Sequence, residues 1–276
     1  MAMAYLTEEN LDTWIWDLFR KTMSRLTFDE GRESVPIWTP DGQRIVYLSR
    51  GTENQGIYVK AADGTGKAKQ LLSEPERIID PFSWADGGKI LLFHEYSPNS
   101  QQSDIGMFSM EGDQERKLLL NEEYSEAYPQ VSPDGRWLAY QSNESGREEV
   151  YVRPFPEVDG GGRWQVSNNG GDSPLWSPDG QALFYRNANA VVAVAVETEP
   201  TFKPGNPETL FQGPFFSYGN VGMRFTVWDI SPDGKRFITG RRLEQIDDES
   251  TEAGFPRKIN IVLNWFEELK KKVPKN

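Results

Sequence analysis

The sequence predicts an all-β fold: a six-bladed β-propeller with four-stranded antiparallel blades and a short C-terminal helix. Three observations predict it. A Pro-Asp-Gly turn recurs at 45 to 54 residue intervals, each copy is followed by runs rich in β-branched and aromatic residues, and 276 residues hold 25 Gly, 18 Pro and nine Trp. Periods of this length with several short strands between turns mark propeller blades.

The turn is read first. It stands as Thr39-Pro40-Asp41-Gly42, a degenerate Ala85-Asp86-Gly87, Ser132-Pro133-Asp134-Gly135, Ser177-Pro178-Asp179-Gly180 and Ser231-Pro232-Asp233-Gly234. Ser or Thr at the first position, Pro preset near −65° at the second and Gly at the fourth specify a type I reversal. Each copy therefore joins two antiparallel strands.

A short run ending in an apolar residue precedes each turn, as in Val35-Pro36-Ile37-Trp38 and Pro174-Leu175-Trp176, and a β-rich run such as Arg44 to Leu48 or Trp137 to Tyr140 follows it. A third strand comes next, for example Gly56 to Lys60 and Glu149 to Arg153, and a fourth closes four of the units. The blades fall at about 33–72, 80–120, 126–167, 172–211 and 223–264, in a single domain spanning 1–276. Residues 1–29 supply second, third and fourth strands with no first, making an incomplete sixth blade; five blades with spare N-terminal strands are the alternative. Residues 265–273 read as the helix, with Glu267 and Lys271 at favourable i,i+4 spacing. The acidic stretch Leu243 to Gly254 lengthens the last period and reads as a solvated loop.

Composition excludes several functions. A formal charge of −12 repels a polyanionic backbone, so nucleic acid is not an expected partner. With no Cys and one His there is no thiolate nucleophile and no His-cluster metal site; His94 is the sole candidate base for a Ser-His-Asp hydrolase. No Gly-x-Ser-x-Gly elbow occurs, which leaves at most the propeller half of a peptidase. No apolar run approaches the roughly 20 residues that span a bilayer, so direct membrane insertion is not expected.

Binding at a propeller concentrates where loops enter the innermost strands. Those entries carry Glu33, Asp80, Glu126 and Asp172, with Arg224 in the last blade. Pointing at the axis, they form a negative ring for a cation, an amine or a basic peptide; the competing reading has them capping turns and facing water. No catalytic or metal-ligating residue and no cofactor is assigned. Trp38, Trp84 and Trp176 recur at one blade position, which reads as packing between blades, whereas Tyr124, Tyr128, Phe215, Phe216 and Tyr218 fall outside the repeat's core, the last three in a Gly-rich segment, 213–222, that reads as a binding loop, a lid or a packed loop.

These units resemble TolB-type, WD-like propeller repeats, whose mark is a Trp-Ser-Pro-Asp-Gly turn, an apolar strand and an Asp-Ile-Tyr-like third strand. Ser142 to Pro156 and Asn264-Trp265-Phe266-Glu267-Glu268-Leu269 are further similar to propellers at the C-terminus of bacterial serine/threonine kinases. That resemblance implies a sensor or scaffold in a larger bacterial protein, an extracytoplasmic placement, and a protein or peptide partner, or else a small molecule. It carries no kinase activity over, because neither a Gly-x-Gly-x-x-Gly loop nor a His-Arg-Asp segment is present. A hydrolase or lyase using carboxylates and a divalent cation is the alternative from another class, and a structural hub in a cell-envelope complex is a third.

Overall fold

A computed structural model describes residues 1–6, 10–51, 55–100, 102–213, 228–240 and 259–263. The predicted helix at 265–273, Arg224, the 243–254 insertion and Phe215, Phe216 and Tyr218 lie outside the described residues. Among the described residues the strands form six antiparallel sheets, and no helix is long and apolar enough to cross a membrane.

Sheet 1 contains β1 (Ala2–Leu6), β2 (Leu11–Asp17) and β3 (Thr22–Arg25). Sheet 2 follows with β4 (Arg32–Trp38), β5 (Arg44–Arg50), β6 (Gly56–Ala61) and β7 (Lys69–Leu72). Sheet 3 contains β8 (Ile78–Ala85), β9 (Ile90–Tyr96), β10 (Ser103–Ser109) and β11 (Arg116–Leu120). Sheet 4 contains β12 (Glu126–Val131), β13 (Trp137–Ser142), β14 (Glu149–Pro154) and β15 (Trp164–Gln165). Sheet 5 contains β16 (Asp172–Trp176), β17 (Ala182–Asn187), β18 (Ala190–Glu197) and β19 (Lys203–Gln212). Sheet 6 contains β20 (Trp228–Ile230), β21 (Arg236–Gly240) and β22 (Ile259–Leu263).

The sheets stack in chain order, so the core is divided among the layers between them. Alternate residues of each second strand serve two different interfaces. Ile45 and Tyr47, Leu91 and Phe93, Leu138 and Tyr140, and Leu183 and Tyr185 pack toward the preceding sheet, while Val46, Leu92, Ala139 and Phe184 pack toward the following one. A strand buried on both faces must be apolar at consecutive positions, which is why these runs lack the alternation of a half-exposed strand.

The turns close as their chemistry dictates. The Gly42, Gly135, Gly180 and Gly234 amides donate to the carbonyls of Thr39, Ser132, Ser177 and Ser231 at 2.7–2.9 Å. Each of those four hydroxyls donates to the Asp two residues on, at 2.5–2.6 Å, and accepts from the first amide of the next strand. Successive turns also touch: a Cβ on Gly88, Gly180 or Gly234 would meet the Pro40, Pro133 or Pro178 ring of the preceding turn. This corrects the degenerate copy. Gly88, not Gly87, is its fourth residue, and Asp86 takes the Pro place in a 3₁₀ turn, Asp86–Gly88. The matching bonds Ala62 N to Gln43 O, Met110 N to Lys89 O and Phe155 N to Arg136 O set the same frame.

Indole N–H groups staple neighbouring sheets. Trp84 donates to Trp38 O at 2.7 Å, Trp176 to Gln130 O at 3.1 Å and Trp228 to Ser173 O at 3.1 Å. The recurrent Trp84 and Trp176 therefore act between sheets, as their spacing predicts.

Sheet 1 repeats the outer part of a complete sheet. Thr27 Oγ1 accepts from Thr13 N and donates to Asp12, and Leu26 N donates to Thr13 O. In sheet 4, Ser167 Oγ accepts from Val150 N and donates to Glu149, and Val166 N donates to Val150 O. The shared pattern makes β2 and β3 the counterparts of β14 and β15, and β1 the counterpart of β13. Sheet 1 has no counterpart of β12 among the described residues.

Candidate functional site

Each complete sheet opens with an innermost strand that carries an acid within its first three residues and breaks register soon after it. The shifts fall between Ser34 and Ile37, Pro81 and Ser83, Ala127 and Gln130, and Asp172 and Leu175. Three carry a residue with left-handed backbone, Val35 (φ 51°), Tyr128 (φ 56°) and Ser173 (φ 51°), which is strained for a β-branched Val. Bulges re-aim side chains at strand ends. In each of these strands the acid stands at the end away from the Pro-Asp-Gly turn, so acids and turns mark opposite ends of the stack.

The four acids fall into two register classes. Glu33 and Glu126 lie opposite Ser49 and Ser142, whereas Asp80 and Asp172 lie opposite His94 and Arg186. Aligned on the turn glycines, the two classes differ by one residue, which turns the side chains to opposite faces. The longer carboxylate faces a small hydroxyl; the shorter one faces a long basic side chain.

Burial excludes the reading in which all four simply face water: Glu33, Asp80 and Glu126 are 0%, 2% and 1% exposed, and only Asp172 is half-buried. Glu33 Oε1 accepts from Ser49 Oγ at 3.1 Å, and Gly31 has no room for a Cβ, which would stand 2.9 Å from that carboxylate oxygen. Asp80 Oδ2 meets His94 Nε2 at 3.1 Å. One oxygen of each buried acid, Glu33 Oε2, Asp80 Oδ1 and Glu126 Oε2, has no hydrogen-bond partner, nor do Nε and Nη2 of buried Arg186. A buried carboxylate left unpaired is costly and sheds its charge unless a cation compensates it.

The electrostatics follow. Burial, with added repulsion from Asp12 and Asp29, pushes the Glu33 carboxyl up to about 7. Burial, reinforced by Glu122 and Asp104, pushes Glu126 up to about 8. Burial also raises Asp172, while the Arg186 charge opposes that rise. Among the described residues no hydrogen bond joins one of these acids to another; each pairs with the second strand of its own sheet. Ser49, Ser142 and Arg186 carry no signal in the sequence beyond their place six or seven residues after the turn glycine, and His94, singled out there only as a candidate hydrolase base, stands in the same place as the partner of Asp80.

His94 is a buried imidazole between sheets 3 and 4, its ring packed on Phe82, Tyr96 and Tyr128. Tyr128, set apart by the sequence as lying off the repeat, holds the bulge of β12 and completes this box. Among the described residues no three His, Asp or Glu side chains gather as a metal site.

Comparisons with known proteins agree with this architecture. The family described as "TolB beta propeller domain" matches residues 1–152. TolB from Acinetobacter baumannii superposes with a TM-score of 0.64 at 17% identity, over 86% of this chain and 56% of that one. An oligogalacturonate lyase from Vibrio parahaemolyticus gives 0.62 at 12% identity, over 96% and 71%. A 164-residue stretch is 24% identical to the uncharacterized peptidase YuxL of Bacillus subtilis (strain 168), covering 47% of this chain. The chain thus spans about a quarter of that peptidase and just over half of that TolB. At these identities the structural likeness speaks to fold alone.

Proposed function

Because the chain belongs to the TolB β-propeller domain family, we propose that it is a noncatalytic binding module of six blades whose acid end receives a cationic group from a protein or peptide partner. The six sheets stacked in chain order support the blade count. The observation that carries the binding reading is the pair Glu33 and Glu126: both are buried, both keep an unpartnered oxygen, and neither faces a basic side chain across the strand. An ammonium or guanidinium group relieves that cost, as does a proton, so ligand and proton compete for the same carboxyls. Asp80 and Asp172 already face His94 and Arg186 and shape the surroundings.

Titration calorimetry with an oligolysine peptide, and separately with calcium ions, tests this. Affinity is expected to climb as pH rises through about 7 to 8, with protons released on binding. The Glu33→Gln, Glu126→Gln double variant is expected to lose roughly tenfold or more in affinity. Equal affinity for wild type and variant overturns the proposal.

A second reading, favoured by the 164-residue match to a peptidase, makes the chain the propeller part of a hydrolase. Lyase-like use of the carboxylates with a divalent cation belongs to the same class of alternative. The surrounding reading frame separates the readings: a kinase domain with a membrane span supports an extracytoplasmic sensor, and a Gly-x-Ser-x-Gly hydrolase domain supports the peptidase.

A further inference from the structure

Among the described residues every exposed large hydrophobic side chain belongs to sheet 1 or its flank: Leu6, Leu18, Phe19, Met23 and Phe28. Leu18 and Phe19 occupy the tip of the β2–β3 hairpin, where Phe19 is 95% exposed. The tip is held in shape. Asp17 Oδ1 accepts from the amides of both Phe19 and Arg20 at 2.9 Å, and Lys21 turns the chain with a φ of 54°. Phe28, 67% exposed, lies under the Arg25 guanidinium at 5.0 Å and the Lys60 ammonium at 5.8 Å.

The equivalent connections in sheets 2 to 5 each carry acid and none has a net positive charge. Between β6 and β7 stand Asp63 and Lys67; between β10 and β11, Glu111, Asp113 and Glu115; between β14 and β15, Glu157 and Asp159 with Arg163; between β18 and β19, Glu199. The sheet 1 connection, Leu18-Phe19-Arg20-Lys21, has no acid and two cations. Asp17 is the nearest carboxylate and is engaged by the turn and by Arg20. Arg25 meets Asp12 at 2.8 Å. On a chain of net charge −12 this is a local reversal of sign, joined to a protruding aromatic. A projecting Phe beside Arg and Lys matches a soft apolar layer under an anionic surface; a protein partner would instead need a pocket for the tip. Repulsion from the rest of the chain is screened beyond about 8 Å at physiological ionic strength.

We infer that the β2–β3 hairpin tip, with Phe19 as the inserting side chain and Arg20 and Lys21 as headgroup contacts, docks the protein on an anionic lipid surface without spanning it. The tip joins third and fourth strands and so lies at the Pro-Asp-Gly end. Docking there turns the acid end away from the membrane, leaving Glu33, Glu126 and their partner site unobstructed.

Co-sedimentation of the full chain with vesicles tests the inference. Vesicles of phosphatidylcholine with about a third phosphatidylglycerol are expected to bind the chain, with binding weakened by high salt, and pure phosphatidylcholine to bind far less. Phe19→Ala is expected to cut partition about tenfold, and Arg20→Glu with Lys21→Glu to abolish the preference for anionic vesicles. The tip is solvent-exposed, so unchanged melting of the variants confirms that folding is intact. Absence of binding, equal binding of Phe19→Ala, equal binding to neutral vesicles, or an effect of Phe19→Ala confined to self-association in solution would each overturn it.

Discussion

Sheet 1 and sheet 4 share the same outer hydrogen-bond pattern and differ in how they are covered. All six residues of β13 are buried, whereas β1 is half-buried and β3 mostly exposed. β13 has a bulged first strand on its inner edge and a sheet on each face; β1 has no first strand among the described residues. The difference teaches that a blade's stability comes from its neighbours more than from its own strands, and that an incompletely covered blade has apolar surface left for other contacts.

The largest test of that contrast is a cavity in each kind of sheet. Phe184→Ala, which removes a fully buried ring packed edge-on to Phe237 at 5.2 Å, is expected to cost about 3–5 kcal/mol. Ile15→Ala in half-buried β2 is expected to cost less than about 2 kcal/mol. Urea unfolding measures both, and equal losses would dissolve the distinction.

The next test concerns the acid carried by complete sheets and absent from sheet 1. Folded Glu126 keeps its proton to about pH 8, against 4.5 in the unfolded chain. The folded state therefore binds the extra proton between those values, and its stability falls as pH rises through them. Glu33 acts in the same sense between 4.5 and about 7. Glu126→Gln, locked in the neutral form, should flatten the decline and be more stable than wild type at pH 9 by on the order of 2 kcal/mol. Parallel pH profiles for the two proteins would contradict it.

Smaller effects sharpen the picture. Trp84→Phe keeps an aromatic ring but removes the bond to Trp38 O, and thermal melts should show a loss of about 1 kcal/mol. Ser132→Ala leaves Trp137 N without its hydroxyl acceptor and should cost about 0.5–1 kcal/mol, with the fold retained by circular dichroism.

The fold was legible because its signals are local and repeated. A Pro-Asp-Gly reversal needs only its own side chains to form, and a run such as Ile45 to Leu48 is apolar at successive positions because two sheets claim it. Where the local signal was weak the frame was not legible: Ala85-Asp86-Gly87 lacks Ser and Pro, and the seat of Gly88 on the Pro40 ring, with the Met110 N to Lys89 O bond, set it. The acids were visible as residues at strand entries, but not their surroundings.

What the sequence determined alone was the number and order of reversals, the apolar second strands and the positions of Glu33, Asp80, Glu126 and Asp172, since each depends on neighbours along the chain. Tertiary structure decided what surrounds those acids, burying Glu33 and Glu126 opposite Ser49 and Ser142 and setting Asp80 and Asp172 opposite His94 and Arg186, because strand pairing and packing between sheets bring together residues distant in the chain. It also decided which apolar residues remain uncovered, since exposure of Phe19 depends on packing that no segment of the chain specifies by itself.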